Sequence, residues 1–456
     1  MRNSNKLFSA GAVLLALLLV SISWAQENLS ITVTNSGMGL VRELRSLDLQ
    51  KGVSTVYLED IPSKIEPTSL LIESSKKSFV VLEQNYEYDL IDVSKVLNKS
   101  LGQEVTIVHP DLGTVIGKLL SAGGSNLMLL DMDDNLQIIP RSDQLKIYFK
   151  DYSKNKDSFV LRPTLVWKVQ STASGRQKAH ISYLSRGLDW QADYVARLNE
   201  DDTRMTLACW VSVNNTSGRS YKNARLKLMA GDINVLSRYR SKSTERAMPT
   251  MVMAADKSFE EKAFFEYHLY TLQRPTDLKN NQVKQIQLFP ETDSRIKKIY
   301  RVESPRWADV NVLVQFHNKK ENNLGIPLPA GTIRLYKSDG DELEFIGENH
   351  VKHTPKNEKL EIPVGKAFDL VSERKVVKTE RPDKRSRKQL VEYALRNHKE
   401  TDVEIEVIET VSPRQEIRVL SSNFKAITDK AGQIRFIVPV KKDSQATLKF
   451  EYITKW

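Results

Sequence analysis

The chain has 456 residues, with 68 Lys plus Arg against 57 Asp plus Glu, one Cys and a 40% apolar share. That is a globular composition with room for about two to four domains, neither disordered nor membrane-spanning throughout. One Cys excludes an intrachain disulfide framework and any cysteine-built zinc or iron–sulfur cluster, so stability has to come from burial and backbone pairing.

Arg2 and Lys6 precede the largely apolar run Leu7 to Ile22, and the small-x-small site Ser23, Trp24, Ala25 follows. A positive head, a short greasy middle and small residues at the exit predict a signal peptide over residues 1–25, cut before Gln26. As a helix the run spans about 24 Å, short of the roughly 30 Å hydrocarbon core, which argues for cleavage over anchoring. Loss of Arg2 and Lys6, with no acid, takes the net charge from +11 to +9. The expected location is the periplasm or cell surface, with at most peripheral membrane contact.

Beyond Gln26 the dominant signal is period-two alternation, which predicts an all-β chain of antiparallel β-sandwich modules with very little helix. Residues 26–98 carry several strands and, from Leu90 to Asn98, the one short helix candidate outside the leader. Lys51-Gly52 marks a hairpin turn between Leu40–Leu49 and Val53–Leu58. Residues 99–150 hold five short strands with Gly113, Gly117, Gly123 and Gly124 at or near the bends, a pattern that suits a small SH3-like or Sm-like barrel.

Residues 158–290 read as a β-sandwich interrupted by a long mobile loop, 238–262, that lacks either period. Here Met205, Leu207, Cys209, Val211 and Val213 alternate with Thr206, Ala208, Trp210 and Ser212, and Glu200–Thr203 forms the turn before them. Residues 296–456 read as a C-terminal β-sandwich, with a hairpin turn at Asp339-Gly340 and core faces such as Val403, Ile405, Val407 and Leu448, Phe450, Tyr452, Trp456. A loose echo recurs: Trp210–Asn215, Leu313–Asn318 and Tyr393–His398 each carry Asn at or near a strand end before a polar turn.

Several segments in fixed order carry a family resemblance: Arg162–Trp167 (RPTLVW), Ile181–Leu184 (ISYL), Gly187–Tyr194 (GLDWQADY), Leu198–Thr203 (LNEDDT) and Trp210–Asn215 (WVSVNN). The set continues with Ala224–Asp232, Glu266–Tyr270, Pro327–Gly331, Phe345–Glu348, His353–Pro355 and Tyr452–Trp456. Over residues 30–456 the chain resembles the mucoidy-inhibitor-A-like exported bacterial proteins, domain of unknown function 4139, in a shorter form without the coiled-coil segment. The resemblance implies an all-β exported protein and supplies no catalytic residues.

Local catalytic signatures are missing: there is no nucleophile elbow, P-loop, HExxH or dinucleotide-binding glycine triplet. Asp131, Asp133 and Asn135 start like a calcium loop, but Leu136 and Ser142 occupy the places of its obligatory Gly and Glu, so a polar hairpin tip is the reading. His350 and His353 lie in extended sequence with no third ligand, and no metal site is assigned. Cys209 shares a face with Leu207 and Val211 and reads as a buried hydrophobe. Trp167, Trp190, Trp210, Trp307 and Trp456 could stack on a sugar; Trp190 reads as core, whereas Trp210 lies opposite Cys209.

The acid pairs Asp133-Asp134, Asp201-Asp202 and Asp339 with Asp341 fall in hairpin tips, where turn chemistry accounts for them. The run Glu373–Lys388, with Arg374, Lys375, Lys378, Arg381, Lys384, Arg385, Arg387 and Lys388, reads as a solvated edge rather than a patch for anionic polymers. The expectation is a non-enzymatic exported scaffold, adhesion or binding component of the bacterial cell envelope. Its partner would be an envelope protein or polymer, with no nucleic acid, cofactor, catalytic or metal residue. An envelope hydrolase acting on carbohydrate and an outer-membrane β-barrel are the alternatives.

Overall fold

A computed structural model describes residues 29–88, 93–150, 162–231, 233–234, 259–304, 309–412, 415–428 and 430–456. The expected signal peptide, Trp307 and residues 238–258 of the expected loop lie outside them. The first strands are β1 (Leu29–Thr34), β2 (Met38–Leu49), β3 (Gly52–Leu58), β4 (Leu71–Ser74) and β5 (Phe79–Glu87). The helix α1 (Val93–Lys99) precedes β6 (Glu104–His109), β7 (Gly113–Ser121), β8 (Asn126–Leu130), β9 (Leu136–Pro140) and β10 (Lys146–Phe149).

The middle of the chain gives β11 (Thr164–Ser171), β12 (Gly175–Arg186), β13 (Leu188–Leu198), β14 (Arg204–Asn215) and β15 (Tyr221–Ala230). There follow β16 (Phe259–Phe264), β17 (Tyr267–Leu272), β18 (Thr276–Leu278), β19 (Gln282–Arg295), β20 (Lys297–Ser304) and β21 (Asn311–His317). The chain closes with β22 (Gly331–Asp339), β23 (Glu342–Val351), β24 (Lys359–Lys366), β25 (Leu370–Glu380), β26 (Ser386–Asn397), β27 (Val403–Thr410), β28 (Glu416–Ser422), β29 (Gln433–Val440) and β30 (Ser444–Lys455). The expected all-β architecture is what the chain adopts. One part of the expected loop is corrected: Phe259–Lys262 belong to β16, which pairs antiparallel with β17.

Among the described residues the strands form six sheets. The largest runs β16-β17-β15-β1-β2-β12-β4, with β18 on β15. A three-stranded sheet, β3-β11-β5, and a five-stranded one, β19-β14-β13-β22-β23, share its core, which runs from Ile31 to Ile362. The sheets β24-β21-β20-β27-β29 and β25-β26-β30-β28 enclose a second core that includes Tyr393, Phe436 and Phe450. The strands β10-β6-β7-β8-β9 make a small module with its own core, to which α1 adds Leu97.

Pairing does not follow the expected succession of modules. β1 lies parallel to β15 and β2 antiparallel to β12, so residues 29–58 complete sheets begun by later sequence. Likewise β22, from the expected C-terminal unit, pairs parallel with β13. The reason is geometric: each parallel pair needs a long crossover, and the chain supplies it by leaving one sheet and returning later.

The three echoed asparagines are fully buried and do one job. Asn215 Nδ2 donates to the carbonyls of Arg219 (2.8 Å) and Leu278 (3.1 Å), and its Oδ1 accepts the Ser217 N–H (3.1 Å). Asn318 Nδ2 donates to Ile326 (2.6 Å) and Pro355 (2.9 Å), and Oδ1 accepts the Gly325 N–H (2.9 Å). Asn397 Nδ2 donates to Thr401 (2.9 Å) and Lys441 (3.1 Å), and Oδ1 accepts the Lys399 N–H (2.9 Å). Each side chain satisfies turn backbone that would otherwise be buried without partners. Replacing any one by Ala orphans several such groups, with an expected loss of about 2–3 kcal/mol read as a lower denaturation midpoint in guanidinium.

Candidate functional site

The deep titratable groups stand at positions whose parity belongs to the core. On β2, Glu43 continues the face of Val41 and Leu47 and is 6% exposed. Its Oε1 accepts from Arg219 Nη1 (3.0 Å), Arg45 Nη2 (3.1 Å) and the Tyr183 hydroxyl (3.2 Å), and Oε2 accepts from Arg219 Nη2 (3.0 Å). Arg219 Nε also reaches Asp60 (3.1 Å), and its guanidinium lies 5.2 Å over the Tyr221 ring. Burial pushes the Glu43 carboxyl up, but the Arg219 hydrogen bond and charge, with Arg45, outweigh it and hold the group below 4.5. Burial and then the Glu43 charge raise the Tyr183 phenol well above 10.

A second node in the C-terminal sandwich uses the same chemistry. Glu409, 2% exposed, follows Ile405 and Val407 inward on β27. It accepts from Arg374 Nη2 (2.5 Å) and Nε (3.1 Å), and from the hydroxyls of Tyr393 (2.6 Å) and Tyr452 (3.3 Å). Arg374 is therefore turned inward. Within the basic run Lys378 meets Glu380 (2.5 Å), and Lys388 meets Glu451 (2.9 Å) and Glu380 (3.5 Å). Several charges of the run are thus neutralised locally, in line with a solvated edge.

The remaining sequence candidates fall into place one by one. Asp131 Oδ1 accepts the N–H groups of Asp133 (3.0 Å) and Asn135 (2.9 Å), so this is a hairpin tip folded on its own carboxylate. The Gln137 side chain (2.8 Å), with those backbone donors, lowers the Asp131 pKa. Asp202 binds Lys337 Nζ (2.6 Å) and Lys298 Nζ, which pins the β13–β14 turn to neighbouring strands. His353 Nδ1 accepts the Ala330 N–H (3.1 Å) and Nε2 lies 3.3 Å from Asn35 Nδ2, whereas His350 is exposed on β23. No group of three or more potential metal ligands occurs among the described residues.

Cys209 is fully buried, and burial, ahead of any neighbour, drives its thiol well above 9.0. Trp167 and Trp190 are core, the latter donating from Nε1 to the Met229 carbonyl (3.2 Å). Trp456 departs from the expected core face: it is 50% exposed, held by its N–H to the Arg385 carbonyl (3.0 Å). Trp210 stands apart, half-buried on the outward face of the β19-β14-β13-β22-β23 sheet. Cross-strand register places Gln287, Trp210, Asp193, Thr332 and His350 in one row over all five strands. Beside the row, Asp193 accepts from Ser212 (2.5 Å) and Gln191 (3.4 Å), and lies 3.6 Å from Arg334.

Residues 179–456 match the family described as Domain of unknown function (DUF4139). The chain belongs to that family. No curated protein matches it. The matched span starts inside β12, so β1 and β2, which flank β15 and β12 in the same sheet, lie before the family segment yet complete it.

Two outcomes follow from the buried charges. Arg219→Met strands the Glu43 carboxylate and should cost about 3–5 kcal/mol, whereas Glu43→Leu combined with Arg219→Met should cost less than the sum, in a double-mutant cycle by guanidinium melts. On β24, the Arg301 hydrogen bond (2.7 Å) with help from Lys359 and Gln315 holds Glu361 at about 2, below its usual 4.5. A folded pKa below the unfolded one stabilises above the unfolded value and is lost on acidification. The melting temperature should therefore fall as pH drops from 4.5 towards about 2, and Glu361→Gln should flatten that slope.

Proposed function

We propose that the protein is an exported, non-enzymatic binding or scaffold component of the bacterial cell envelope that works through sheet faces rather than through a reaction centre. What carries this reading is where the charge sits. The most deeply buried carboxylates among the described residues are held by Arg219, Arg45 and the Tyr183 hydroxyl at Glu43 and by Arg374 and the Tyr393 and Tyr452 hydroxyls at Glu409, which leaves them no proton to exchange with a substrate. Hydrolysis of a glycoside needs two carboxyl groups free to act on one bond from opposite sides. By contrast, the outward row around Trp210 offers groups suited to holding a ligand.

The leader-like start, Arg2 and Lys6 before an apolar run ending in Ser23-Trp24-Ala25, supports export. The mature protein would reach the periplasm or cell surface and meet an envelope protein or polymer there. A mucoidy-inhibitor-A-like role belongs to this proposal by resemblance alone.

Intact-mass measurement of the protein from its own cells should give a chain that starts at Gln26. The purified mature chain should sediment with envelope fragments from those cells without releasing reducing sugar or peptide. A protein that stays in the supernatant overturns the binding reading, and one that releases reducing ends makes it a hydrolase.

A further inference from the structure

We infer that the outward face of the β19-β14-β13-β22-β23 sheet is a binding site for a neutral oligosaccharide, with Trp210 as its stacking platform. The inference deepens the binding reading above and rests on it. Three features of the face lead there.

First, Trp210 is half-buried and stands outside the hydrophobic core that its strand neighbours Cys209 and Val211 join. Its neighbour Cys209 points into the core, so the indole stands on the opposite, outward side. Its indole N–H has no hydrogen-bond partner among the described residues. A partly exposed indole with a donor at its edge suits a pyranose, whose C–H face stacks while its hydroxyls need partners at the rim.

Second, the rim is supplied. In the row that crosses the sheet, Gln287 and Asp193 flank Trp210, and Thr332 and His350 continue it. Five strands span about 19 Å, four inter-strand spacings, which gives room for several linked rings rather than one. Gln287 Oε1 is buried without a hydrogen-bond partner, while the half-buried Thr332 and the exposed His350 face solvent. Native proteins rarely leave a buried acceptor such as that of Gln287 idle. Asp193, Ser212 and Gln191 form a hydrogen-bonded set next to Trp210, so carboxylate, hydroxyl and amide flank the aromatic ring, and the His350 imidazole lies further along the row.

Third, the charge on the face is close to balanced. Arg334 stands between Asp193 (3.6 Å) and Glu348 (3.3 Å), so no unpaired cation is presented to an anionic polymer. Nor does an apolar groove accompany the tryptophan, since its cross-strand neighbours are polar, which disfavours a lipid tail or an apolar peptide. A neutral sugar chain is the ligand class whose recognition uses a flat aromatic face and mixed donors and acceptors without net charge.

The test is calorimetric titration of the full mature chain with maltohexaose, cellohexaose and chitohexaose in turn. At least one should bind, and Trp210→Ala should weaken that binding about tenfold or more, the equivalent of roughly 1.4 kcal/mol. Thr332→Val, which removes a hydroxyl while keeping shape and strand preference, should weaken it about threefold. Trp456→Ala, which alters an exposed tryptophan on a different sheet, should leave it unchanged. If Trp210→Ala fails to fold by circular dichroism, Thr332→Val decides. Binding by none of the three sugars, or equal binding by wild type and the folded variant, overturns the assignment. Failure with all sugars while envelope sedimentation persists removes the saccharide site and leaves the binding function standing.

Discussion

The arrangement of the N-terminal two-thirds depends on the Glu43–Arg219 pair. Two charges taken out of water at 7% and 9% side-chain exposure are tolerable only if their geometry is fixed and every remaining lone pair is met. That requirement is relayed through the chain. Asn215 holds the Arg219 carbonyl at 2.8 Å and so shapes the turn between β14 and β15, while Arg219 Nη1 donates to the Tyr183 hydroxyl on β12 at 2.7 Å. One guanidinium thereby ties the turn that leaves the Trp210 sheet to both β2 and β12 of the largest sheet. Because β1 follows from β2 by a short turn, its parallel seat beside β15 is fixed by the same contact.

The C-terminal sandwich solves the same problem with different strands. Arg374, Tyr393 and Tyr452 converge on Glu409 from β25, β26 and β30, so a residue of one sheet is clamped by three strands of the sheet facing it. Around this clamp Phe450 stacks near Tyr393, Tyr452 and Phe436, with ring centroids at 6.3, 5.7 and 4.7 Å. A pair of apolar residues could fill that volume at no greater cost in stability. What a charged clamp adds is a penalty on sliding: a register slip of one residue would turn Glu409 outward and leave Arg374 buried without a counter-charge.

Sequence alone makes the strands legible, because alternation and turn residues are local properties. The turns at Gly52, Asp202 and Gly340 adopt positive φ where the hairpins require it. Strand partners are not local, and there the reading by successive modules fails: nothing in Leu29–Thr34 announces a parallel partner in Tyr221–Ala230. The buried acids were open to detection, since Glu43 and Glu409 interrupt core-face series of Val, Ile and Leu. Their arginines were not, because Arg219 sits in a turn and Arg374 in a run of exposed cations. The three asparagines were visible as an echo, but turn propensity explained them too easily to reveal that each is a buried tie. Trp210 was separable from Trp190 by parity alone, although its polar row needed the cross-strand register.

The distribution of charge also bears on what the protein recognises. An excess of eleven positive charges suggests an affinity for anions, and the run from Glu373 to Lys388 looks like its focus. In the folded chain Arg374 is consumed by a buried carboxylate, Lys378 by Glu380 of its own strand, Lys388 by acids of the two neighbouring strands, and Arg301 by Glu361 and Glu406 at 2.7 and 2.5 Å. Pairing leaves the net charge of +11 unchanged but makes the run less of a local focus for anions than its sequence implies, and solvent ions screen the long-range field beyond about 8–10 Å. Recognition at a face without an unpaired cationic cluster rests on shape and hydrogen bonds. That places the demand on a surface with an aromatic plane and uncommitted polar groups, the combination found on the outward side of the strand that carries Trp210.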